Sequence, residues 1–230
     1  MLFVRSLFLI LAQGLASVVF LFQHNPHPFQ AAAQGWTVWS TLADLACLFL
    51  LVGLTRREGL GLFDLMGPPK KTFNQDLFQA LALFPVLLFL DVAGLILGDY
   101  LVYGSWLPVG LPAGFAGRLL PLWAVVYSRL LWWPLWSWME EMTYNGYALP
   151  RLQALTGRTW AAVALVTFGW SLQHLFLPTL WDGRYFLWRF LVFIPFNLAA
   201  PLIYLRLRRL TPLVFAHWGL DLLTTLITIA

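Results

Sequence analysis

Charged residues are scarce in this chain of 230 residues: Asp, Glu, Lys and Arg together make up 10% of it. Soluble domains carry roughly 25%. Hydrophobic residues make up 60%, and the mean hydropathy is +0.76. Too few polar side chains are present to cover a surface that faces water, so the composition excludes an ordinary soluble domain. We therefore expect an integral membrane protein.

Cysteine is almost absent, since Cys47 is the sole cysteine. The chain can form no internal disulfide and cannot build a thiolate metal site, so we expect Cys47 to act as a small buried hydrophobe. Most of the basic residues lie in the connections between apolar runs, a distribution that sets membrane orientation and gives no sign of nucleic-acid binding.

Seven apolar runs have about the length of a membrane-spanning helix, ~20 residues. They cover residues 2–22, 36–54, 76–98, 119–142 or a little beyond, 160–177, 185–205 and 210–229. The predicted fold class is all-α, a polytopic membrane helical bundle of about seven transmembrane helices. Residues 1–230 are expected to form a single integral membrane domain, whose motif-bearing half is about 119–230. The first run exceeds the roughly 7–15 residues of a signal-peptide core and is expected to be retained, with a cleaved signal as the alternative.

The positions of the basic residues predict the orientation of the bundle. If seven helices alternate, most arginines and lysines fall on one side, which should be the cytoplasmic side. These are Arg5, Arg56, Arg57, Lys70, Lys71, Arg151, Arg158, Arg206, Arg208 and Arg209; the opposite connections contain only Arg118 and Arg184. We therefore expect a cytoplasmic amino terminus, an external carboxyl terminus and location in the plasma (inner) membrane.

Two adjacent glutamates, Glu140 and Glu141, end a stretch that otherwise has the composition of a lipid-soluble helix. Carboxylates are unfavourable in a bilayer unless they are paired, hydrated or protonated, so such a pair is a candidate functional site. At helical spacing, Ser137, Glu140, Glu141, Tyr144 and Asn145 form one polar strip. The tryptophans at positions 132, 133, 136 and 138 precede the pair and either enclose a dry pocket or simply pack between helices.

Two histidines lie in later apolar runs: His174, and His217 with Asp221 one helical turn beyond it. A lone intramembrane histidine often only bridges helices by hydrogen bonding. If these residues and a glutamate converge from three helices, they form a buried hydrolytic site. At 1.5 Å per residue, Glu140 lies about 14 Å from a helix end at Leu149, and His174 and His217 lie about 21 Å and 10 Å deep. These depths do not coincide, so tilt, a kink or a later helix start must bring the side chains together.

Three motifs resemble those of the CPBP family, which contains type II CAAX prenyl endopeptidases and bacteriocin-processing or self-immunity membrane proteins. They are Glu140-Glu141-Met142-Thr143-Tyr144-Asn145-Gly146, Trp170-Ser171-Leu172-Gln173-His174 and His217-Trp218-Gly219-Leu220-Asp221. The family's usual first motif has arginine where this chain has Asn145. Trp170 occupies the aromatic position of the second motif, and Asp221 an asparagine-like position of the third.

The resemblance implies hydrolysis of a peptide bond inside the membrane, in a membrane protein or peptide that is membrane-anchored or lipidated. Glu140 would act as general base on a water, with His174 assisting and Glu141 supporting, while His217 and Asp221 would polarise the scissile carbonyl. Tyr144, Asn145 and Trp170 would shape the site. An ionised Asp221 would repel an oxyanion, so it must be protonated, or orient His217, or the site must not be catalytic.

Three alternatives remain open from the sequence. Zinc could be held by His174, His217 and Glu140, although the chain has no His-Glu-x-x-His pair and no cofactor is predicted. The protein could be a catalytically silent scaffold, partner subunit or immunity protein, which Asn145 in place of arginine would fit. A small proton-coupled transporter is the third alternative, although no inverted repeat is detected.

Overall fold

The structure, a computed structural model, describes residues 1–68, 73–109 and 120–228. Helices and their connections make up these ranges, and the ranges contain no β-strand. The α-helices are α1 (Val4–Phe22), α2 (Pro28–Ala32), α3 (Trp36–Arg57), α4 (Phe73–Tyr103), α5 (Leu122–Tyr127), α6 (Trp133–Glu141), α7 (Leu149–Thr156), α8 (Thr159–Gln173), α9 (Gly183–Val192), α10 (Ile194–Leu207) and α11 (Thr211–Thr228).

Each of the seven predicted apolar runs coincides with helix, and the all-α membrane bundle is confirmed. Four helical segments in the described ranges are long and apolar enough to cross a membrane: Val4–Phe22, Pro28–Arg57, Phe73–Tyr103 and Gly183–Leu207. Thr211–Ile227 is a shorter apolar helix. The predicted helix bounds at 119 and 229, and the basic residues Lys70, Lys71 and Arg118 of the orientation argument, lie outside the described residues.

The fourth predicted helix is longer than expected and includes two π-helical segments, Ser128–Trp132 and Met142–Ala148. These segments join α5, α6 and α7 into one helical run that continues past Pro150 to Thr156. Pro150 lies at the start of α7, where its missing N–H is tolerated just after a widened turn. Glu140 is thus about 24 Å from the end of this run, close to the depth of about 22 Å of His174 in α8.

The fifth and sixth predicted helices end or break at other positions than expected. Helix α8 ends at Gln173 instead of 177. The carbonyl groups of His174 and Leu177, which then have no helical partner, accept hydrogen bonds from the Arg189 guanidinium. The run predicted at 185–205 is broken at Phe193, because Pro195 in the first turn of α10 cannot continue a helix from α9. This break allows the Phe193 ring to stack on His174, with 3.7 Å between ring centroids.

Helix α6 lies inside the bundle, packed against α3 and α11, while α4 packs along α11 and α9. Gly94 and Gly98 face Val192, and a side chain at Gly94 would collide with the Val192 backbone. Small residues let membrane helices approach this closely. The tight contact of α4 with α9 places both helices beside the residues that α6 carries.

Two of the predicted cytoplasmic connections touch each other and therefore lie on one side of the bundle. The Leu210 N–H donates to the Met66 carbonyl at 3.0 Å, and Gly67 lies directly against the Arg208 backbone. Leu210 is fully buried, so α11 starts within the protein rather than at its surface. His217 lies six residues into α11, so the packing of this buried start against the rest of the bundle fixes where its side chain lies. The cytoplasmic orientation itself stays a prediction.

One of the charges used for that orientation has a different role. Arg5 lies within α1, is fully buried, and forms an ion pair with the equally buried Asp44 of α3, with 2.6 Å between Nη2 and Oδ1. Counting Arg5 among the cytoplasmic charges was therefore wrong. A cation inside an apolar bundle needs a partner, and the intramembrane Asp44 provides it. Cys47, one turn beyond Asp44, is buried as expected.

Candidate active site

The structure brings the five candidate residues together inside the bundle. Glu140 and Glu141 come from α6, His174 follows the last residue of α8, and His217 and Asp221 come from one face of α11. Both glutamates are at most 1% exposed, and the Asp221 side chain is 14% exposed. The longer helical run through α6 thus removes the mismatch in depth between Glu140 and His174 that was expected from helix length alone.

The Glu140 carboxylate lies between the two imidazoles. Its Oε1 is 3.8 Å from Nε2 of His174, and its Oε2 is 3.5 Å from Nε2 of His217. The Gln173 amide donates to Oε1. Because 3.8 Å is beyond direct hydrogen-bond range, one water could contact both Oε1 and the His174 Nε2 at ordinary distances.

The tautomer of His174 follows from its surroundings. Its Nδ1 lies 2.9 Å from the Trp170 carbonyl oxygen, which can only accept, so Nδ1 carries the hydrogen. In the neutral ring, Nε2 then presents a lone pair toward Glu140. Stacking on Phe193 holds the plane of the ring. His174 is thereby oriented to accept a hydrogen bond from a water beside Glu140.

His217 lies between three carboxyl groups. Its Nδ1 is 3.2 Å from Oε1 of Glu141, while its Nε2 lies 3.5 Å from Glu140 and 3.7 Å from Oδ2 of Asp221. The Phe196 ring packs against the imidazole at a centroid distance of 4.7 Å. These contacts fix the ring so that Nε2 points toward Glu140.

The three predicted site-shaping residues surround the glutamates. Asn145, fully buried, donates from Nδ2 to Oε2 of Glu141 at 2.7 Å, so the position that usually holds arginine still contacts this carboxylate. Tyr144 donates to Oε1 of Gln173 at 3.0 Å and so orients the amide that binds Glu140. Trp170 stacks on the Tyr144 ring, with 5.0 Å between centroids.

Asp221 and Ser137 are joined by a hydrogen bond whose direction depends on the protonation of Asp221. The Ser137 Oγ lies within hydrogen-bond range of both Oδ2 of Asp221 and the Trp133 carbonyl, at 2.9 Å from the latter. A hydroxyl has one hydrogen, and a carbonyl can only accept. Asp221 accepts the Ser137 hydrogen if it is ionised, and donates to Ser137 if it is protonated.

A cavity of about 240 Å³ adjoins this cluster and is lined by Glu140, His174, His217 and Asp221. Its walls are mostly apolar, and they include Val92 and Ile227, which are exposed on the outside of α4 and α11. The cavity therefore extends from the buried carboxylates to the outer surface of the bundle. Of the four tryptophans before Glu140, Trp132 and Trp136 line it, whereas Trp133 packs on Trp218 and Trp138 on Phe63.

Sequence reasoning missed four residues of this region: Asp91 and Arg189, which line the cavity, and the Arg5–Asp44 pair behind Glu140. Asp91 is half-buried and makes no hydrogen bond or ion pair with any described residue. The signal was present, because Asp44, Asp91 and Arg189 are charges inside otherwise apolar runs. The sequence could not indicate that they face the same region.

The zinc alternative finds little support in the geometry. In the described ranges, no group of three or more His, Cys, Asp or Glu side chains is arranged to hold a metal ion. The Gln173 amide already donates to Oε1 of Glu140, so this oxygen is not free to bind a metal ion. The residues present do not fit a metal centre, and the chemistry below uses none.

Fold and site together define a polytopic α-helical membrane protein with a buried cluster of carboxylates and imidazoles. The family model for type II CAAX prenyl endopeptidase Rce1-like proteins matches residues 121–223, which include all five candidate residues. The match covers just under half of the chain, and it supports membership of the CPBP family, as the three motifs predicted. Among the curated proteins and the solved structures, nothing matches the chain.

Proposed function

We propose that the protein is an intramembrane endopeptidase that hydrolyses a peptide bond with a water activated by Glu140. One observation carries the proposal: Nε2 of His174 and Nε2 of His217 face opposite oxygens of Glu140, at 3.8 and 3.5 Å, on the wall of one cavity. A base, an orienting imidazole and a second polar group converging on one space are what water-dependent hydrolysis requires.

The reaction begins with a water bound between Oε1 of Glu140 and Nε2 of His174. Glu140 takes one of its protons while the water oxygen bonds to the scissile carbonyl carbon, and the carbonyl oxygen becomes an oxyanion. Glu140 then passes the proton to the amide nitrogen as the C–N bond breaks. The products are a carboxylic acid, which keeps the second hydrogen of the water, and an amine; proton exchange between them gives a carboxylate and an ammonium group. The low-dielectric surroundings strengthen each of these electrostatic contacts.

His217 would stabilise the oxyanion. With Nδ1 donating to Glu141, a hydrogen on Nε2 points into the cavity and makes the ring a cation. Asp221, at 3.7 Å from Nε2, either supports that cation as a carboxylate or, when protonated, donates to the oxyanion itself. Substitution of Asp221 distinguishes these roles, as described in the Discussion.

The shape of the cavity supports a membrane-associated or lipidated substrate. A volume of about 240 Å³ admits a short extended segment and no folded domain. Its apolar walls and its extent to the outer surface at Val92 and Ile227 suit entry of a chain from the bilayer. The lipid bilayer and a membrane protein or peptide are thus the proposed partners.

The second candidate function is a catalytically silent scaffold, partner subunit or immunity protein. Asn145 favours it, because this neutral amide replaces the arginine usual in the first motif. Asn145 nonetheless keeps a hydrogen bond to Glu141, so the contact itself is preserved even though the charge is lost. An activity measurement separates the two candidates.

The experiment uses the full chain, purified and reconstituted in lipid vesicles, with a library of membrane-anchored fluorogenic peptides. We expect the wild type to cleave a subset and Glu140→Gln to cleave none, because an amide cannot accept the water proton. Glu58→Gln, which removes a carboxylate outside the bundle interior, serves as the matched control and should cleave normally. Equal turnover by wild type and Glu140→Gln would show that Glu140 is not the base, and no turnover by either would favour the silent candidate.

A further inference from the structure

Arg5 is a permanent cation in the interior of the bundle. Its side chain is fully buried, its Nη2 lies 2.6 Å from Oδ1 of Asp44, and its Nε and Nη1 make no hydrogen bond to any described residue. The guanidinium lies over the Trp136 ring, 4.2 Å from the centroid. The Arg5 guanidinium is therefore held by one carboxylate and one aromatic face, and two of its nitrogens have no hydrogen-bond acceptor among the described residues.

The position of Arg5 is behind the proposed base. Trp136 precedes Glu140 by one helical turn on the same face of α6, so a group above Trp136 lies next to the Glu140 side chain. Leu2 packs directly against Gly169 of α8, which docks the start of α1 beside the second motif. Arg5 is close enough for its charge to interact with Glu140, and it does not line the cavity.

Apart from the His217 ring, which is a cation when both of its nitrogens carry hydrogen, the groups around Glu140 give it little positive charge, and Asp91 of α4 adds a further carboxyl group on the cavity wall. On α8 and α11 it faces His174, His217 and Asp221, and on its own helix Glu141 adds a second carboxyl group. On α9, Arg189 is committed to two backbone carbonyl groups. Asn145, beside Glu141, contributes only a neutral amide.

We infer that Arg5 is a positioning residue for Glu140: from the side away from the cavity, its guanidinium, held by Asp44, stabilises the negative charge that Glu140 needs as a base. This inference rests on the proposed function. Arg5 of α1 would then supply the positive charge that the first motif lacks because it has Asn145 in place of the usual arginine. Helix α1 would then complete the site rather than only anchor the protein.

A purely structural role of the pair, as a clamp between α1 and α3, makes a different prediction. Arg5→Met and Asp44→Asn both break the ion pair, so a clamp predicts that both variants lose activity together. The electrostatic role predicts opposite effects, because Arg5→Met removes the cation whereas Asp44→Asn removes the competing carboxylate and leaves the cation to Glu140. The direction in which Asp44→Asn changes kcat therefore distinguishes the clamp from the electrostatic role.

The experiment measures kcat and KM of the full chain in lipid vesicles, per folded protein. We expect Arg5→Met to lower kcat by about tenfold with KM within about twofold, because Glu140 loses a neighbouring opposite charge that favours its ionised form, and a change of one pKa unit is tenfold in ionisation. Arg5→Lys should recover most of the loss, and Asp44→Asn should keep or raise kcat. Arg209→Met, which breaks the similarly buried pair with Asp76 elsewhere in the bundle, is the matched control and should leave kcat unchanged.

Parallel losses in Arg5→Met and Asp44→Asn, or an equal loss in Arg209→Met, would overturn the inference. A second measurement, of thermal midpoints, tests the same inference and does not depend on catalytic activity. Glu140→Gln should raise the thermal midpoint more in the Arg5→Met background, where the carboxylate has lost its cation, than in wild type or in Arg209→Met. Additive midpoints would overturn the inference. If the wild type cleaves nothing, the proposed function fails. The thermal midpoints of the single and double variants still determine whether Arg5 stabilises the ionised Glu140.

Discussion

His217 and Glu141 are joined by a contact of 3.2 Å between Nδ1 and Oε1, while the opposite nitrogen of the same ring faces Glu140 at 3.5 Å. Adjacent residues of a helix diverge by about 100°, so the two glutamates reach the imidazole from different sides. Glu141 therefore orients the ring, and Glu140 shares the cavity with it. The two neighbours in sequence therefore contact different nitrogens of one ring.

The first prediction concerns this separation. Glu141→Gln should lower kcat by about 10–100-fold, the usual effect of losing a partner that orients a functional histidine, whereas Glu140→Gln should remove measurable turnover. Single-turnover cleavage in vesicles measures both. Equal residual rates for the two variants would mean that the glutamates do not divide the roles as proposed.

The second prediction concerns Asp221, which faces His217 and Ser137. If it donates to the oxyanion in protonated form, Asp221→Asn should preserve or raise kcat at neutral pH, because an amide donates at any pH. Asp221→Ala should lose activity. If asparagine is as inactive as alanine, Asp221 instead acts as an ionised partner that orients His217.

The third prediction is a stability difference between two buried asparagines. Asn145→Ala leaves Oε2 of Glu141 without its donor and should lower the free energy of unfolding by about 1.5–3 kcal/mol. Asn197→Ala removes a bond to the neutral Ser171 hydroxyl and should lower it by about 0.5–1.5 kcal/mol. Denaturant titration in detergent compares them. A larger loss at Asn197 would show that Glu141 does not depend on Asn145.

The fourth prediction concerns Asp91, a carboxyl group on the cavity wall that makes no hydrogen bond to a described residue and interacts with His217 and Arg189 only through their charges. Asp91→Asn should raise the free energy of unfolding by about 1–3 kcal/mol, because it removes from an apolar helix a charge that no hydrogen bond compensates. Asp76→Asn is the control and should lower it, since Arg209 then loses its ion pair. A lower thermal midpoint in Asp91→Asn would indicate that Asp91 has a stabilising contact.

The fifth prediction uses Glu58, which follows α3 and accepts hydrogen bonds from Arg151 and Tyr147 of the helical run that bears the glutamate pair. The Arg151 hydrogen bond is the main cause that lowers the pKa of Glu58 below its usual value of 4.5. A lowered folded-state pKa adds stability above pH 4.5 that is lost as the pH falls through the folded-state value. Glu58→Gln should therefore lower the thermal midpoint at neutral pH, and the difference should vanish in acid. A difference that does not change with pH would exclude this linkage.

Hydropathy alone determined the membrane class and the approximate positions of the helices, because an apolar run of about 20 residues has few other stable states. Helical spacing also predicted local neighbours correctly: Asn145 contacts Glu141, and Asp221 lies near His217, since residues four apart share a face in any helix. Short-range geometry is a property of the helix and needs no knowledge of the fold.

Only the tertiary structure decided which faces meet. The long run from α5 to α7, with its two π-helical segments, brings Glu140 to about the depth of His174, and the break at Phe193 lets the Phe193 ring stack on His174. Packing of α1 on α3 and α8 turned Arg5 from a flanking charge into a buried partner of Asp44. The sequence contains the periodicity within each helix, but the rotation and depth of one helix against another depend on the packing of the whole bundle.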